Sequence, residues 1–185
     1  LTLASNLSAL ADAGVELTNL KGLRSYGEVL DQEVRDKCKS LWGATITEAY
    51  SSMEIGYITI QCHEFDKHHV QIEGVTVEVV DDEGQPCKPG ETGKVLITTL
   101  LNSATPLIRY AIGDYVTLGE PCPCGRTSPV LEKIMGRSRN MLKLANGKTF
   151  WPSFPTKYWS EGHPIRQFQL IQNKLDTIEC HIVAD

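Results

Sequence analysis

Two cysteines one residue apart, Cys122 and Cys124, lie in the proline-rich stretch "PCPCGRTSP", whose composition is typical of a turn. Two thiolates from one turn are half of the ligand set of a tetrahedral zinc ion. A disulfide between them would close a very small, strained ring, and Pro123 stiffens the turn, so a redox pair is disfavoured. The alternative is an inert pair, since cysteine is often simply a small buried apolar residue.

The other candidate metal ligands lie upstream, in "QCHEFDKHHV". Cys62 closes one apolar run and His69 opens the next, so a hairpin would bring their side chains together. With the later turn they would complete a Cys₃His zinc site formed by Cys62, His69, Cys122 and Cys124. His68 is the alternative histidine, and the residues alone leave that choice open.

A second group of reactive side chains lies in "EAYSSMEIG", which runs from the end of a predicted strand into a loop. The aromatic face of Tyr50 can stack on a base, the hydroxyls of Ser51 and Ser52 can bind phosphate, and the carboxylate of Glu54 can hold Mg²⁺. The alternative is a half-buried strand end whose Tyr and Ser residues only satisfy a turn.

Two further residues have the chemistry of nucleotide contacts. Asp114 follows a glycine at the end of the apolar run "PLIRYAIGD", a position suited to binding ribose hydroxyls, although a Gly-Asp turn between strands explains it equally well. Arg137 follows Gly136 in "GRSRNMLK", where the character of the chain changes. It can present a bidentate fork to phosphate or ribose at a domain hinge, or it can belong to a solvated linker.

The first fifty residues predict the elements that carry the Tyr50 segment. Apolar residues at helical spacing predict a helix that ends near Gly14, and a strand then leads into a turn at Gly27-Glu28. A second helix is expected from Asp31, as its cap, to Gly43 as its terminator. The stretch "ATITEAYSS" is rich in β-branched residues and predicts a strand.

From Tyr57 onward the apolar residues alternate with polar ones in short runs. These runs are "YITIQC", "HVQIEG", "VTVEVVD", "GKVLITTL", "PLIRYAIGD" and "YVTL", and they predict a mostly β region of meander or barrel-like strands. Past Gly136 we expect a hairpin closed by Asn146-Gly147 and two more strands, "IRQFQLIQ" and "TIECHIVAD". Cys38, on a helix, and Cys180, in a strand, are expected to be buried apolar residues.

Composition narrows the class of protein. The chain has 185 residues, 41% of them hydrophobic, and a formal net charge of −5. This length suits one domain, or one domain and part of a second. The negative net charge argues against a nucleic-acid binder, which usually has a basic face, and no run approaches the ~20 apolar residues of a membrane span. Six scattered cysteines and no signal-peptide pattern predict a cytoplasmic protein. Because the chain ends within a predicted strand, we expect it to be part of a longer protein.

Taken in order, the motifs resemble the phenylacetate-CoA ligase family of the ANL adenylate-forming superfamily. The stretches that carry the resemblance are "SYGEVL", "AYSSMEIG", "VTVEVVDDEGQPCKPGETGKVLITTL", "PLIRYAIGDYV", "PCPCGRTSP" and "GRSRNMLK". It implies an α/β (α+β) fragment in which residues 1–136 are the C-terminal part of the large adenylation domain. Residues 137–185 would be the hinge and the beginning of a small α+β lid domain.

The resemblance also implies an activity and its partners. ATP would activate a small-molecule carboxylic acid as an acyl-adenylate, and coenzyme A would take the acyl group as a thioester. Transfer to an amine, an alcohol or a carrier protein is the alternative, and a degenerate nucleotide-binding relative is another. A homodimer is compatible with the family. The phosphate loop and the late catalytic lysine of the family are absent from this chain, so we expect it to be inactive alone.

Roles for single residues follow from the same resemblance. Gly27 and Glu28 would line the adenine and acyl pocket, and Tyr50 would stack against the adenine. Asp114 would bind the ribose hydroxyls, and Arg137 would reach ribose or phosphate.

Two positions, Met53 and Arg139, depart from the family pattern, and a third decides which histidine would be the zinc ligand. Glu54 would hold Mg²⁺, while Met53 stands where the family has a threonine, so that Ser51 and Ser52 would have to supply its phosphate contact. Arg139 is at the hinge position, where the family has an aspartate. The alignment of the histidine before an aliphatic residue favours His69 over His68 as the zinc ligand.

Overall fold

The computed structural model describes residues 1–152 and 165–184. The chain divides into two compact units, Leu1–Gly136 and Arg137–Asp185. That part of the predicted region 137–185 which falls on residues 153–164 and on residue 185 lies outside the described residues. Each unit has its own strands, and the fold is the predicted mixture of a few helices with a large β region.

The first unit opens with the predicted helices and strands. Their bounds are α1 Ala4–Asp12, β1 Leu23–Tyr26, α2 Gln32–Trp42 and β2 Ile46–Ser52. Strands β1 and β2 pair in parallel, and the two helices pack on them through a cluster formed by Ala4, Leu7, Leu30, Val34, Cys38 and Ile46. No described helix is long and apolar enough to cross a membrane.

The two ends of α2 can be compared with the cap and the terminator that the sequence predicts. Gly43 adopts the left-handed conformation (φ 63°) that terminates a helix, as predicted. Asp31 occupies the predicted cap position, and its side chain makes no capping hydrogen bond. Cys38 is fully buried in the helix cluster, and the prediction for it is confirmed.

The remaining strands of the first unit complete one eight-stranded sheet. They are β3 Gly56–Gln61, β4 His68–Val70, β5 Val75–Val80, β6 Thr92–Thr99, β7 Tyr110–Leu118 and β8 Val130–Arg137. The order in the sheet is β1-β2-β3-β4-β8-β7-β6-β5. Strands β1 and β2 pair in parallel, whereas the β2-β3, β3-β4, β4-β8, β5-β6 and β6-β7 pairings are antiparallel. One core cluster takes side chains from β2 through β8, so the sheet curves around a shared interior.

Strand β7 corrects two expectations. The runs "PLIRYAIGD" and "YVTL" are not separate strands, and Gly113-Asp114 is not a turn, because β7 is continuous from Tyr110 to Leu118. The strand begins only after Arg109, whose φ of 47° interrupts the extended backbone. Gly113 has a φ of 84°, and the register with β6 shifts at this point. Asp114 therefore lies in a β-bulge, a feature that changes the direction of a side chain.

Strand β8 was not predicted. Its sequence "VLEKIMGR" places apolar residues in pairs and lacks the alternation of period two that identifies a half-buried strand. It pairs with the three-residue strand β4 and thereby joins the two halves of the sheet.

The second unit contains short elements. They are a 3₁₀ turn at Ser138–Asn140 and the strands β9 Leu142–Lys143, β10 Thr149–Phe150, β11 Ile165–Lys174 and β12 Thr177–Ala184. The predicted hairpin at Asn146-Gly147 is confirmed, with Gly147 at a φ of 83°. The two further strands that the sequence predicts are β11 and β12, and the structure pairs them with each other in antiparallel orientation. Cys180 is exposed in β12, so its predicted burial is wrong: a two-stranded ribbon covers neither of its own faces.

Candidate functional site

The segment from Tyr50 to Glu54 crosses from β2 into the tight turn that leads to β3. Tyr50 is buried at 9% exposure and contributes its ring to the main core cluster. Met53 is completely exposed, and Glu54 beside it is also exposed. The Ser52 hydroxyl is buried, and within the described residues it has no hydrogen-bond partner. A buried polar oxygen without a partner is costly, so this hydroxyl is suited to a ligand that completes the site.

Tyr50 and Asp114 meet directly, although 64 residues separate them. The Tyr50 hydroxyl donates a hydrogen bond of 2.6 Å to Oδ2 of Asp114. Asp114 is 6% exposed, so its carboxylate lies in the interior beside the aromatic ring. The structure thus brings together two of the residues that the sequence placed at a nucleotide site.

The Gly27-Glu28 turn contacts the N-terminal end of the first helix, α1. The Glu28 carboxylate accepts hydrogen bonds from the Ser5 backbone N–H (2.7 Å) and from the Ser5 hydroxyl (3.0 Å). The first N–H groups of a helix have no hydrogen-bond partner within it, and the Glu28 carboxylate accepts from one of these groups at the start of α1. Gly27 has a φ of 75°, and a side chain there would approach Leu3. The sequence missed this contact, for which the only signal was an acidic residue in the turn.

The four predicted zinc ligands lie together in the first unit. The ligand atoms of Cys62, His69, Cys122 and Cys124 are all within 4.8 Å of one another. Sγ of Cys122 is 3.9 Å from Sγ of Cys62, and Sγ of Cys124 is 3.3 Å from Nε2 of His69. Zinc-sulfur bonds of about 2.3 Å in a tetrahedron place two sulfur atoms about 3.8 Å apart. The donor set and its spacing therefore fit a zinc ion.

Local electrostatics act differently on the side chains of this cluster: burial raises the pKa of Cys122, whereas the pKa values of Cys62 and His69 shift in the direction that favours metal binding. Burial raises the pKa of Cys62, but backbone N–H groups of Glu64 and Phe65, together with the neighbouring thiols, outweigh it, so the pKa is lowered. Burial, and then the charge of Arg126, lower the pKa of His69. A thiolate and a neutral imidazole are the protonation states in which these side chains bind a metal.

Ser128 was not singled out from the sequence, yet it contacts the metal cluster. Its Oγ lies 3.2 Å from Nδ1 of His69, the ring nitrogen opposite the one that faces Cys124. A partner at the second nitrogen fixes the orientation of a ligating histidine. The signal was present in "PCPCGRTSP", because a hydroxyl follows the two cysteines within the same loop.

His68 points to the opposite face of β4, since adjacent residues of a strand alternate. Its Nδ1 lies 3.3 Å from the Thr59 hydroxyl, and its Nε2 lies 3.9 Å from a Glu48 oxygen. Burial lowers the pKa of His68 from 6.5 to about 4. It is thus a neutral interior histidine, outside the metal cluster.

A polar network surrounds His68 beneath α2. Arg35 forms an ion pair with Glu48, bonds the Gln61 amide oxygen at 3.2 Å and reaches the backbone oxygen of Ile46 at 2.8 Å. Burial raises the pKa of Glu48, and the adjacent Arg35 offsets part of that effect. No local sequence pattern predicts this network, because its members come from a helix and three separate strands.

Arg137 and Arg139 belong to the second unit. Arg137 ends β8 and is exposed, and its backbone oxygen accepts a hydrogen bond of 3.0 Å from the Trp151 indole. Arg139 is exposed within the 3₁₀ turn.

Curated proteins with similar sequences share one name. The phenylacetate-coenzyme A ligase of Thermus thermophilus is 33% identical over 142 residues, which cover 76% of this chain and 26% of the relative. That of Escherichia coli is 30% identical over 126 residues, which cover 66% of this chain and 28% of the relative. The chain thus spans about a quarter of the length of these relatives. No protein-family model matches it.

Several solved structures with the same fold are CoA ligases. An open 2-hydroxyisobutyryl-CoA ligase, in complex with 2-HIB-AMP and CoA, has a TM-score of 0.68 and 26% identity over 81% of this chain and 38% of that chain. The same ligase in the postadenylation state has a TM-score of 0.76 at 20% identity, over 98% and 42% of the two chains. The anthranilate CoA ligase AuaEII with anthranoyl-AMP has a TM-score of 0.68 at 19% identity, over 100% and 38%.

The fold is therefore that of a segment of the adenylate-forming CoA ligases. The sequence identities to two phenylacetate-coenzyme A ligases identify the family within this class of proteins. The chain belongs to the phenylacetate-CoA ligase family of the ANL superfamily.

Proposed function

We propose that this chain is part of an ATP-dependent acyl-CoA ligase of the phenylacetate type. The observation that carries the proposal is the 33% identity to a curated phenylacetate-coenzyme A ligase over 76% of the chain. Residues 1–136 would be the C-terminal part of the large adenylation domain, and residues 137–185 the beginning of the small domain. The division of the chain after Gly136 supports that boundary.

The proposed reaction has two steps. A carboxylate oxygen of the acid attacks the α-phosphorus of ATP, and pyrophosphate leaves as the acyl-adenylate forms. The thiol sulfur of coenzyme A then attacks the acyl carbonyl carbon, loses its proton and displaces AMP. Both steps depend on orientation of the reactants and on compensation of charge at the phosphate.

The residues of the first unit would bind the nucleotide. Tyr50 would stack on the adenine beside the Gly27-Glu28 turn, and Asp114 would bind the ribose hydroxyls. The buried Ser52 hydroxyl supports a phosphate contact, because it has no partner within the described residues. Ser51 precedes it, and the exposed side chain of Met53 offers no hydroxyl in place of the family threonine.

Charged residues would serve the phosphates and the hinge. Glu54 would hold a Mg²⁺ ion beside the phosphates, and its exposure at the turn after β2 supports access to an ion. Arg137 would contact ribose or phosphate, and Arg139 would mark the hinge. Mg²⁺ when bound would supply charge compensation to the phosphate oxygens, while these side chains orient them.

We also propose a structural zinc held by Cys62, His69, Cys122 and Cys124. Their spacing supports the assignment, and four protein ligands leave no open position for catalysis. The metal would fix the ends of β3 and β4 to the loop between β7 and β8. That loop follows the strand that carries Asp114, so zinc would support the nucleotide contact without taking part in the reaction.

Two remaining proposals concern the setting of the protein. A cytoplasmic location is supported by the cysteines, none of which forms a disulfide in the described structure. A homodimer remains a prediction, and sedimentation of the full-length protein measures it.

The test is carboxylate-dependent pyrophosphate release by the full-length protein with ATP and Mg²⁺. We expect release with an aryl or aliphatic acid, formation of a CoA thioester, and a loss of rate of at least tenfold in Glu54→Gln. Glu132→Gln, which removes an exposed carboxylate on β8, is the matched control and should retain the rate. Absence of release with every acid would contradict the proposal. Acyl transfer to an amine, alcohol or carrier protein without coenzyme A would identify the transferase alternative.

A further inference from the structure

The hydrogen bond between Tyr50 and Asp114 joins two strands that are not neighbours. In the sheet order, β3, β4 and β8 lie between β2 and β7. The 2.6 Å contact therefore crosses the interior of the curved sheet. Both side chains are more than nine-tenths buried, so the bond is made away from bulk water.

Each strand is irregular at the point where it presents its side chain. The pairing of β2 with β3 shifts register immediately after Tyr50. The pairing of β7 with β6 shifts around Gly113, whose φ of 84° a residue with a side chain rarely adopts. Because bulges redirect side chains, two local irregularities aim the phenol and the carboxylate at each other.

The chemistry of the pair goes beyond packing. A ring that only stacks on a base or fills a core does not need a hydroxyl, whereas the Tyr50 hydroxyl makes a short bond to a carboxylate. A hydrogen bond to an ionised acceptor in the interior is among the strong ones, and it holds the carboxylate plane in one orientation. A carboxylate has about four lone-pair positions, and the phenol occupies one of them.

Resting on the nucleotide site proposed above, we propose that the Tyr50 hydroxyl is a positioning group that orients Asp114 toward the ribose diol. The preference for ribonucleotides over 2′-deoxyribonucleotides then depends on Tyr50 as well as on Asp114. The stacking ring and the ribose-binding carboxylate act as one unit through this bond. Loss of the hydroxyl leaves the ring in place and releases the carboxylate from its fixed orientation.

The test measures binding of AMP and of 2′-deoxy-AMP to the full-length protein by calorimetry. In Tyr50→Phe we expect AMP to bind about tenfold more weakly, while 2′-deoxy-AMP changes by less than about twofold, because the lost interaction is with the ribose hydroxyl. Asp114→Asn should also reduce the preference for AMP. The double variant should lose little more than either single variant, since the two residues act on one contact.

The matched control is Tyr115→Phe, which removes the hydroxyl of the next residue on β7. That hydroxyl faces Asp82 at 3.5 Å and should not affect either nucleotide. Equal weakening of both nucleotides in Tyr50→Phe, no weakening, or additive losses in the double variant would each overturn the inference while leaving the ligase proposal intact. A wild-type protein that binds neither nucleotide would contradict the proposed function itself.

Discussion

Adjacent histidines show how far one residue position decides the role of a side chain. His69 faces three cysteines and Ser128, while His68 faces Thr59 and the Arg35 network. The two rings have the same intrinsic chemistry, and the alternation of a β-strand separates them. At this scale the direction of the side chain matters more than its type.

Cys124 should be required for metal binding, because three remaining ligands leave a tetrahedral site incomplete. We expect the wild-type protein to contain close to one zinc per chain and Cys124→Ser to lose most of it, with a lower melting temperature. Elemental analysis of the purified protein and thermal unfolding measure both. Cys180→Ser is the control, since this exposed thiol belongs to the second unit. A metal-free wild-type protein with an unchanged melting temperature would contradict the zinc proposal.

Ser128→Ala should weaken zinc affinity by roughly 10- to 100-fold while the four ligands remain, because the Nδ1 partner of His69 is lost. Competition with a chromophoric chelator measures this affinity. Ser128→Thr should retain most of the zinc affinity, since threonine keeps the hydroxyl. Ser103→Ala, in an exposed loop, should have no effect. Equal affinities in wild type and Ser128→Ala would show that the hydroxyl does not orient the ring.

At the scale of elements, much of the fold was accessible from the sequence. Both helices, the strand before Tyr50 and the hairpin at Asn146-Gly147 follow from periodicity and glycine positions. The same spacing placed Cys62 and His69 on neighbouring strands, which the structure brings together with the later cysteines. Local patterns carry this information because each depends on a few consecutive residues.

Long-range pairings account for what the sequence did not reveal. In the sequence of β8, apolar and charged residues follow each other two by two, a pattern that does not identify a strand. The segment is extended because it lies between its partner strands β4 and β7. The bulge at Gly113 resembles a turn locally, yet its neighbour β6 keeps the chain extended. The Tyr50–Asp114 bond and the Arg35–Glu48 ion pair join distant segments, and no local pattern encodes either.

The hairpin of β5 and β6 allows no side chain at Gly93. A Cβ there would lie 2.4 Å from the Val80 carbonyl oxygen and 2.5 Å from Sγ of Cys87. We expect Gly93→Ala to lower the free energy of unfolding by about 2 kcal/mol or more, because backbone must move to relieve the contact. Denaturant unfolding measures the change. Gly22→Ala is the control, since a Cβ there meets nothing within 4 Å, and similar losses in the two variants would contradict the steric explanation.

For the whole molecule, His68 should make stability depend on pH. Its pKa falls from 6.5 to about 4 on burial, so the unfolded chain takes up a proton that the folded chain does not. The contribution is complete above pH 6.5 and is lost as the pH falls toward about 4, at a cost of roughly 3 kcal/mol. The raised pKa of Glu48 acts in the opposite direction over the acid range, because the folded chain then binds its proton more readily.

Urea unfolding of the zinc-loaded protein between pH 7 and pH 5 measures this dependence. His68→Asn keeps hydrogen-bonding capacity but cannot be protonated, so we expect a flatter profile than in wild type. His63→Asn, an exposed histidine in the preceding loop, is the control and should retain the wild-type slope. Parallel profiles in wild type and His68→Asn would assign the acid sensitivity to other groups.

The shortness of β4 has a consequence for the kinetics of folding. This strand has three residues, yet it joins the two halves of the sheet, and its partner in β8 lies roughly 60 residues later, where His68 pairs with Leu131. Closing so long a loop for two pairs of residues gains little until other contacts form, so the halves should meet late. A metal bound by Cys62, His69 and the later cysteines would shorten that search. Refolding followed by stopped-flow fluorescence should therefore show a slow phase that zinc accelerates and that the Cys124→Ser variant retains.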